Sequence, residues 1–79
     1  MRTYGYSTRL IEANRRANPR LLGVRLGRVC IKHKIPVSKV VSMLGVSKQT
    51  VYNWFVGINS PQRVIADSVE AFISKINSK

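Results

Sequence analysis

Apolar side chains recur along this chain at the spacing of helices. Leu22, Leu26, Val29 and Cys30 run i, i+4, i+7, i+8, the stripe of an amphipathic helix, with Arg25, Arg28 and Lys32 off it toward solvent. Val40, Val41 and Leu44 share one face of a second helix, and Val51 and Trp54, three apart, one face of a third. Val64, Ile65, Val69, Phe72, Ile73 and Ile76 continue helical spacing to about Asn77. A weaker set, Leu10, Ile11 and Ala13, follows Ser7 as a cap and suggests a short helix as far as Arg16. The pattern predicts an all-α fold, a compact bundle of four to five short helices.

The punctuation between these stripes is specific. Asn18-Pro19 reads as a helix start, with asparagine as N-cap and proline at the first helical position, and Ser60-Pro61 repeats it. Pro36 stops one helix and opens the next. Gly45 offers the positive φ that a reversal directly after a helix needs, Ser47 caps the helix that follows, and Gly57 is placed to end it. Gly23 and Gly27 each cost their helix about 1 kcal/mol relative to alanine; they either admit the close approach of another backbone or face solvent. The stripe of the last helix is wide enough to be buried wholly or to leave part of Phe72, Ile73 and Ile76 for a second copy. Residues 1–18 read as a basic N-terminal arm, with loop at residues 4–7 and at most a short helix, and residues 19–79 as the domain proper. The arm is either a solvated tail or a segment lying along phosphates or in a minor groove.

Composition narrows the partner. The 79 residues suffice for one small domain. Fourteen Lys and Arg face three acids, Glu12, Asp67 and Glu70, giving a formal net charge of +11. Self-repulsion of that size suits a polyanionic partner, and nucleic acid is the usual one. Cys30 is the single cysteine, which excludes an internal disulfide and a cysteine-based zinc framework, and His33 has no second ligand at metal spacing. No signal peptide or membrane-spanning stretch is visible, so a cytoplasmic location, in a bacterial host or on its nucleoid, is expected. No catalytic constellation, phosphate-cradling glycine loop, cofactor motif or small-molecule site stands out, so no enzyme is expected.

Residues 36–57 then acquire meaning. Two short helices meet at Gly45; the second keeps Val51 and Trp54 on its inner face and turns a cation, two carboxamides and a phenol elsewhere, the pattern of a DNA-binding helix-turn-helix. Over residues 22–76 the chain resembles the phage-repressor and Cro-like helix-turn-helix domain. The resemblance is carried by Leu22-Gly23-Val24-Arg25-Leu26 ahead of the motif, Leu44-Gly45-Val46-Ser47 at its turn, Thr50-Val51-Tyr52-Asn53-Trp54 in its second helix, and Gly57 with Pro61 four residues on. The family's apolar motif positions fall on Val40, Leu44, Val46, Val51 and Trp54. Val41 stands where the family prefers a small residue, and Val37 stands where it often has a phosphate-binding glutamine.

The resemblance implies a lambda-repressor-like bundle that inserts residues 47–55 into a major groove, with Lys48, Gln49 and Asn53 reaching the bases and Ser47, Thr50 and Tyr52 at the edge. Gln49 and Asn53 suit adenine and Lys48 suits guanine, while Thr50 and Tyr52 are the further base-contact candidates. Tyr52 equally suits a phosphate contact or half-buried packing; Trp54 and Phe55 belong to the core. Candidate phosphate contacts are Ser47, Lys34, Asn59, Ser60, Arg63, Arg2, Arg9, Arg15 and Arg16. The expected function is a sequence-specific regulator of transcription on double-stranded DNA, a phage or mobile-element repressor acting as a possible homodimer. The alternatives are an architectural or excisionase-like DNA-binding factor and an adaptor docking on an acidic protein.

Overall fold

The computed structural model describes residues 6–78. Among them lie five helices: α1 (Thr8–Arg16), α2 (Leu22–Lys32), α3 (Val37–Leu44), α4 (Lys48–Phe55) and α5 (Arg63–Asn77). No described residue belongs to a strand, so the fold is the expected all-α bundle. The capping chemistry explains several boundaries. Ser7 accepts from the Leu10 amide at 3.1 Å and starts α1; Gly45, at φ +68°, ends α3; Gly57, at φ +84°, follows α4 while the Ile58 amide donates back to the Asn53 carbonyl at 2.9 Å. Lys34 takes a left-handed φ of +61° at the end of α2, and the Ile35 amide closes on the Cys30 carbonyl at 2.8 Å.

Two helix starts differ from the expectation. Asn18 and Pro19 form a turn, in which the Asn18 side chain accepts from the Arg20 amide at 2.9 Å and its carbonyl from the Leu21 amide at 3.2 Å, and α2 begins only at Leu22. An asparagine before proline thus caps its own turn rather than the helix. Ser60 and Pro61 likewise precede α5, whose N-cap is Gln62. Val64, five residues before Val69, lies well off the buried row of Val69, Phe72, Ile73 and Ile76 and is 83% exposed, not part of the core stripe in which the sequence pattern placed it.

The core is built on α2. Val24, Leu26 and Cys30 are fully buried there, and α4 packs across this helix with Val51, Trp54 and Phe55. Gly23 and Gly27 face this contact. A Cβ at Gly23 would lie 2.6 Å from the Trp54 Cβ and 2.7 Å from the Trp54 carbonyl oxygen; one at Gly27 would lie 2.6 Å from Asn14 Nδ2 and 2.9 Å from Phe55 Cγ. The close-approach reading of these glycines is therefore the one that holds. α3 adds Val40, and α5 closes the bundle with Val69, Phe72, Ile73 and Ile76, all buried, so none of the last three is left for a second copy.

From Tyr6 onward, the segment read as an appended arm is part of the bundle. The Tyr6 ring is buried against Phe55, with centroids 5.9 Å apart, and its hydroxyl donates to the Ile35 carbonyl at 2.6 Å. Asn14 is 2% exposed, and its Nδ2 donates to the Phe55 carbonyl at 2.6 Å and to the Val24 carbonyl at 3.2 Å. Arg28 also departs from its expected solvent position: it is half-buried, and its Nη2 donates to the Arg15 carbonyl at 2.9 Å. A guanidinium at the carbonyl end of α1 meets the negative pole of that helix.

Gly23→Ala should lower the unfolding free energy by about 1–3 kcal/mol, because the clashing atoms are backbone and Cβ and cannot rotate away; urea denaturation followed by circular dichroism reads it. Burial pushes the Cys30 thiol up from 9.0 to about 12, and burial first, then the neighbouring Cys30 and Tyr52, raises the Tyr6 phenol well above its usual range. Below pH 9 both states keep the thiol proton. Above it the unfolded chain loses a proton that the folded chain retains, so stability should fall as the pH rises from about 9 toward 12. Thermal unfolding across that window should show this decline, and Cys30→Ala should make it shallower.

Candidate nucleic-acid interface

The polar side of α4 follows from how its apolar side is sunk. With Val51, Trp54 and Phe55 buried, residues one turn apart on the far side point away from the bundle, and these are Gln49 and Asn53. Gln49 is exposed and Asn53 half-buried, and Gln49 Nε2 donates to Asn53 Oδ1 at 3.0 Å. This bond holds the two carboxamides as one unit. It leaves Gln49 its carbonyl oxygen and second N–H, the acceptor–donor pair that matches an adenine edge, and leaves Asn53 its NH2 donors.

The first turn of α4 is set by Ser47, whose Oγ accepts from the Thr50 amide at 3.1 Å and lies 2.8 Å from Thr50 Oγ1. Lys48 is exposed at this end, and no acidic residue occupies the first turn. Two positive features, the helix pole and an ammonium, thus coincide without an internal counter-charge. That placement is mildly unfavourable for the isolated helix and favourable beside an anion.

The remaining candidates divide between the two flanks of α4. On one flank Tyr52 is half-buried and, with Ser7, Arg9, Leu10, Ala13 and Val56, lines an open hollow of about 460 Å³ between α1 and α4. Tyr52 therefore lies off the outward ridge of Gln49 and Asn53, and Arg9 stands beside it. On the other flank Thr50, Asn59 and Ser60 share a cleft with Val46, Trp54, Gln62 and Ile65, and Arg63 opens α5 next to it, exposed. Ser47 joins α3's turn to this flank through Thr50.

Arg15, Arg16 and Lys34 line neither of these two hollows. Arg15 and Arg16 reach Glu12 at 3.7 and 3.5 Å on exposed α1, Lys34 is exposed at the α2–α3 junction, and Arg2 lies outside the described residues. Gln62, which the sequence reading did not single out, brings a carboxamide into the cleft with Asn59 and Ser60. Its only sequence signal is its position between Pro61 and a helix start.

Electrostatics reinforce the asymmetry. Between Glu12 and Asp67 the chain has no carboxylate side chain, so α2, α3, α4 and every connection among them carry cations alone, from Arg15 to Arg63. Cys30 is a buried, protonated thiol and supplies no nucleophile. No group of metal-ligating side chains gathers among the described residues, and no described helix is long and apolar enough to cross a membrane. Compared with known proteins, the chain matches no family model, no curated protein and no solved structure.

Ser47→Ala removes the cap of α4 and should lower stability by about 1 kcal/mol. Amide hydrogen exchange should show the effect first at Thr50, whose N–H loses its acceptor.

Proposed function

We propose that this chain is a sequence-specific double-stranded DNA-binding regulator that places α4 in a major groove. The observation that carries the reading is the outward ridge of α4, where Gln49 and Asn53 are bonded into one carboxamide unit beside Lys48, on a helix without carboxylates. Gln49 reads adenine N6 and N7, Lys48 donates to guanine O6 and N7, and Asn53 adds a donor to the neighbouring base. Tyr52 and Arg9 on one flank, and Thr50, Asn59, Ser60 and Arg63 on the other, face the two groove walls and their phosphates. The resemblance to phage-repressor and Cro-like helix-turn-helix domains belongs to the same proposal. The short turn at Gly45 between α3 and α4 supports it, and so does the burial of all but two of the family's apolar motif positions, Leu44 and Val46 being half-buried. A regulator of this kind represses by covering a promoter, and its origin in a phage or mobile element rests on the resemblance alone.

The charge of +11 also favours a second reading, an architectural DNA-binding factor that holds the backbone without reading bases. Selection from a random duplex pool at about 150 mM salt, where nonspecific binding is weakened, separates the two. A recovered motif supports base readout; recovery of no motif with tight, steeply salt-dependent binding supports the architectural reading. Given a motif, Gln49→Ala should cost about 1–3 kcal/mol at one or two base positions and leave nonspecific affinity unchanged. Arg9→Ala should instead weaken binding to all sequences alike and reduce the salt slope by about one.

A further inference from the structure

The hollow between α1 and α4 has the make-up of a small-molecule site. Its walls are Leu10 and Ala13 from α1, the ring of Tyr52 from α4 and Val56 at the end of that helix, all half-buried. Ser7 and Arg9 stand with them, exposed. At about 460 Å³ the hollow has the size of clefts that hold organic ligands, which are mostly apolar with a few polar groups that fix orientation. Arg9, Leu10 and Ala13 fall at i, i+1 and i+4, so α1 brings a guanidinium and apolar side chains to the same space.

The polar groups at the hollow are open to a ligand. Arg9 makes no ion pair among the described residues, because Glu12, the one acid of α1, is held by Arg15 and Arg16. Ser7 Oγ accepts from the Leu10 amide at 3.1 Å, which leaves its O–H to donate. Charge and shape then select the occupant. A guanidinium is a planar fork that binds a carboxylate through two parallel bonds, and one cation matches one negative charge. A bare inorganic anion would leave the apolar walls in water, whereas an attached ring covers them and packs on the Tyr52 ring.

We infer that this hollow binds a small aryl carboxylate. The carboxylate pairs with Arg9, and the ring lies between Leu10 and Ala13 on one side and Tyr52 and Val56 on the other. The site is a property of the hollow and holds without DNA. Its consequence for DNA rests on the function proposed above, in which Arg9 and Tyr52 face a groove wall and its phosphates. Carboxylate and phosphate then compete for the same guanidinium, so the ligand loosens the duplex and the duplex loosens the ligand by the same factor.

The probe is cinnamate, with cinnamyl alcohol as its uncharged counterpart, titrated into the full chain without DNA and followed by amide NMR. Cinnamate should shift Leu10, Ala13, Tyr52 and Val56 and leave Met43 and Ile65, which line other hollows, in place. A Kd of about 0.1–1 mM is expected for so small a ligand in an open site. Cinnamyl alcohol should bind at least roughly tenfold more weakly. In Arg9→Gln the two should bind alike, with the spectrum otherwise as in the parent chain, since Arg9 is exposed. No shifts at these amides, shifts that acetate reproduces at equal ionic strength, or an Arg9→Gln chain that still prefers cinnamate would each overturn the assignment. So would contacts to Leu10 and Val56 from residues 1–5 or from a second copy in the free protein, which give the hollow another occupant. With duplex present, saturating cinnamate should weaken DNA binding as much as Arg9→Ala does and add nothing to that variant. A chain that binds cinnamate but no duplex overturns the DNA reading alone; one that binds both without mutual effect overturns the competition.

Discussion

The approach of α4 to α2 at Gly23 and Gly27 is the contact on which the rest of this molecule depends. Neither position has room for a Cβ: at Gly23 the Trp54 Cβ, Cα and carbonyl oxygen fill that space, and at Gly27 the Asn14 amide nitrogen and the Phe55 Cγ and Cβ do. Glycine costs α2 conformational entropy and weakens it as an isolated helix. The return is that two short helices lie nearly in backbone contact and bury an indole and a phenyl ring between them. In a chain of 79 residues, with so little interior available, this is an efficient use of apolar side chains.

Asn14 extends the same contact to a third helix. Its single side chain ties α1 to the Val24 carbonyl of α2 and to the Phe55 carbonyl near the end of α4. A buried carboxamide is tolerable only when its donors are used, and both recorded partners here are backbone carbonyls. The orientation of α4, and hence the direction in which Gln49 and Asn53 point, is therefore set from behind by glycines and an asparagine that never reach the surface. Arg28 works similarly at the end of α1, where it meets open helical carbonyls.

Charge is distributed as a consequence of this packing. Apolar side chains occupy the interior, the described cations other than the half-buried Arg28 lie outside, and the three acids sit only on α1 and α5. No carboxylate lies on α2, α3 or α4, and α5 carries as many acids as cations. One molecule thus carries two unlike sets of helices, one with cations alone and one with charges of both signs.

Helical periodicity was readable along the whole chain, because burying one side of a helix imposes a 3.6-residue repeat whatever the neighbouring elements are. It placed Val51 and Trp54 inside and Gln49 and Asn53 outside, and local capping chemistry placed Ser7, Gly45, Ser47 and Gly57 correctly. Periodicity could not reveal which polar residues are buried, since a carboxamide on α1 looks solvent-facing until two carbonyls from other helices arrive at it. For the same reason Tyr6 read as loop, Arg28 as a surface cation, and the two glycines of α2 as undecided. Val64 was grouped with the apolar repeat yet stands in solvent, because five residues before Val69 is off the buried side of α5. The amino-acid order by itself determined the helices, the caps at Ser7, Gly45 and Ser47 and the polar ridge of α4, but not where α2 and α5 start. Only the tertiary structure decided which side of each helix meets which neighbour, since that depends on contacts between residues such as Asn14 and Phe55 that lie far apart in the chain.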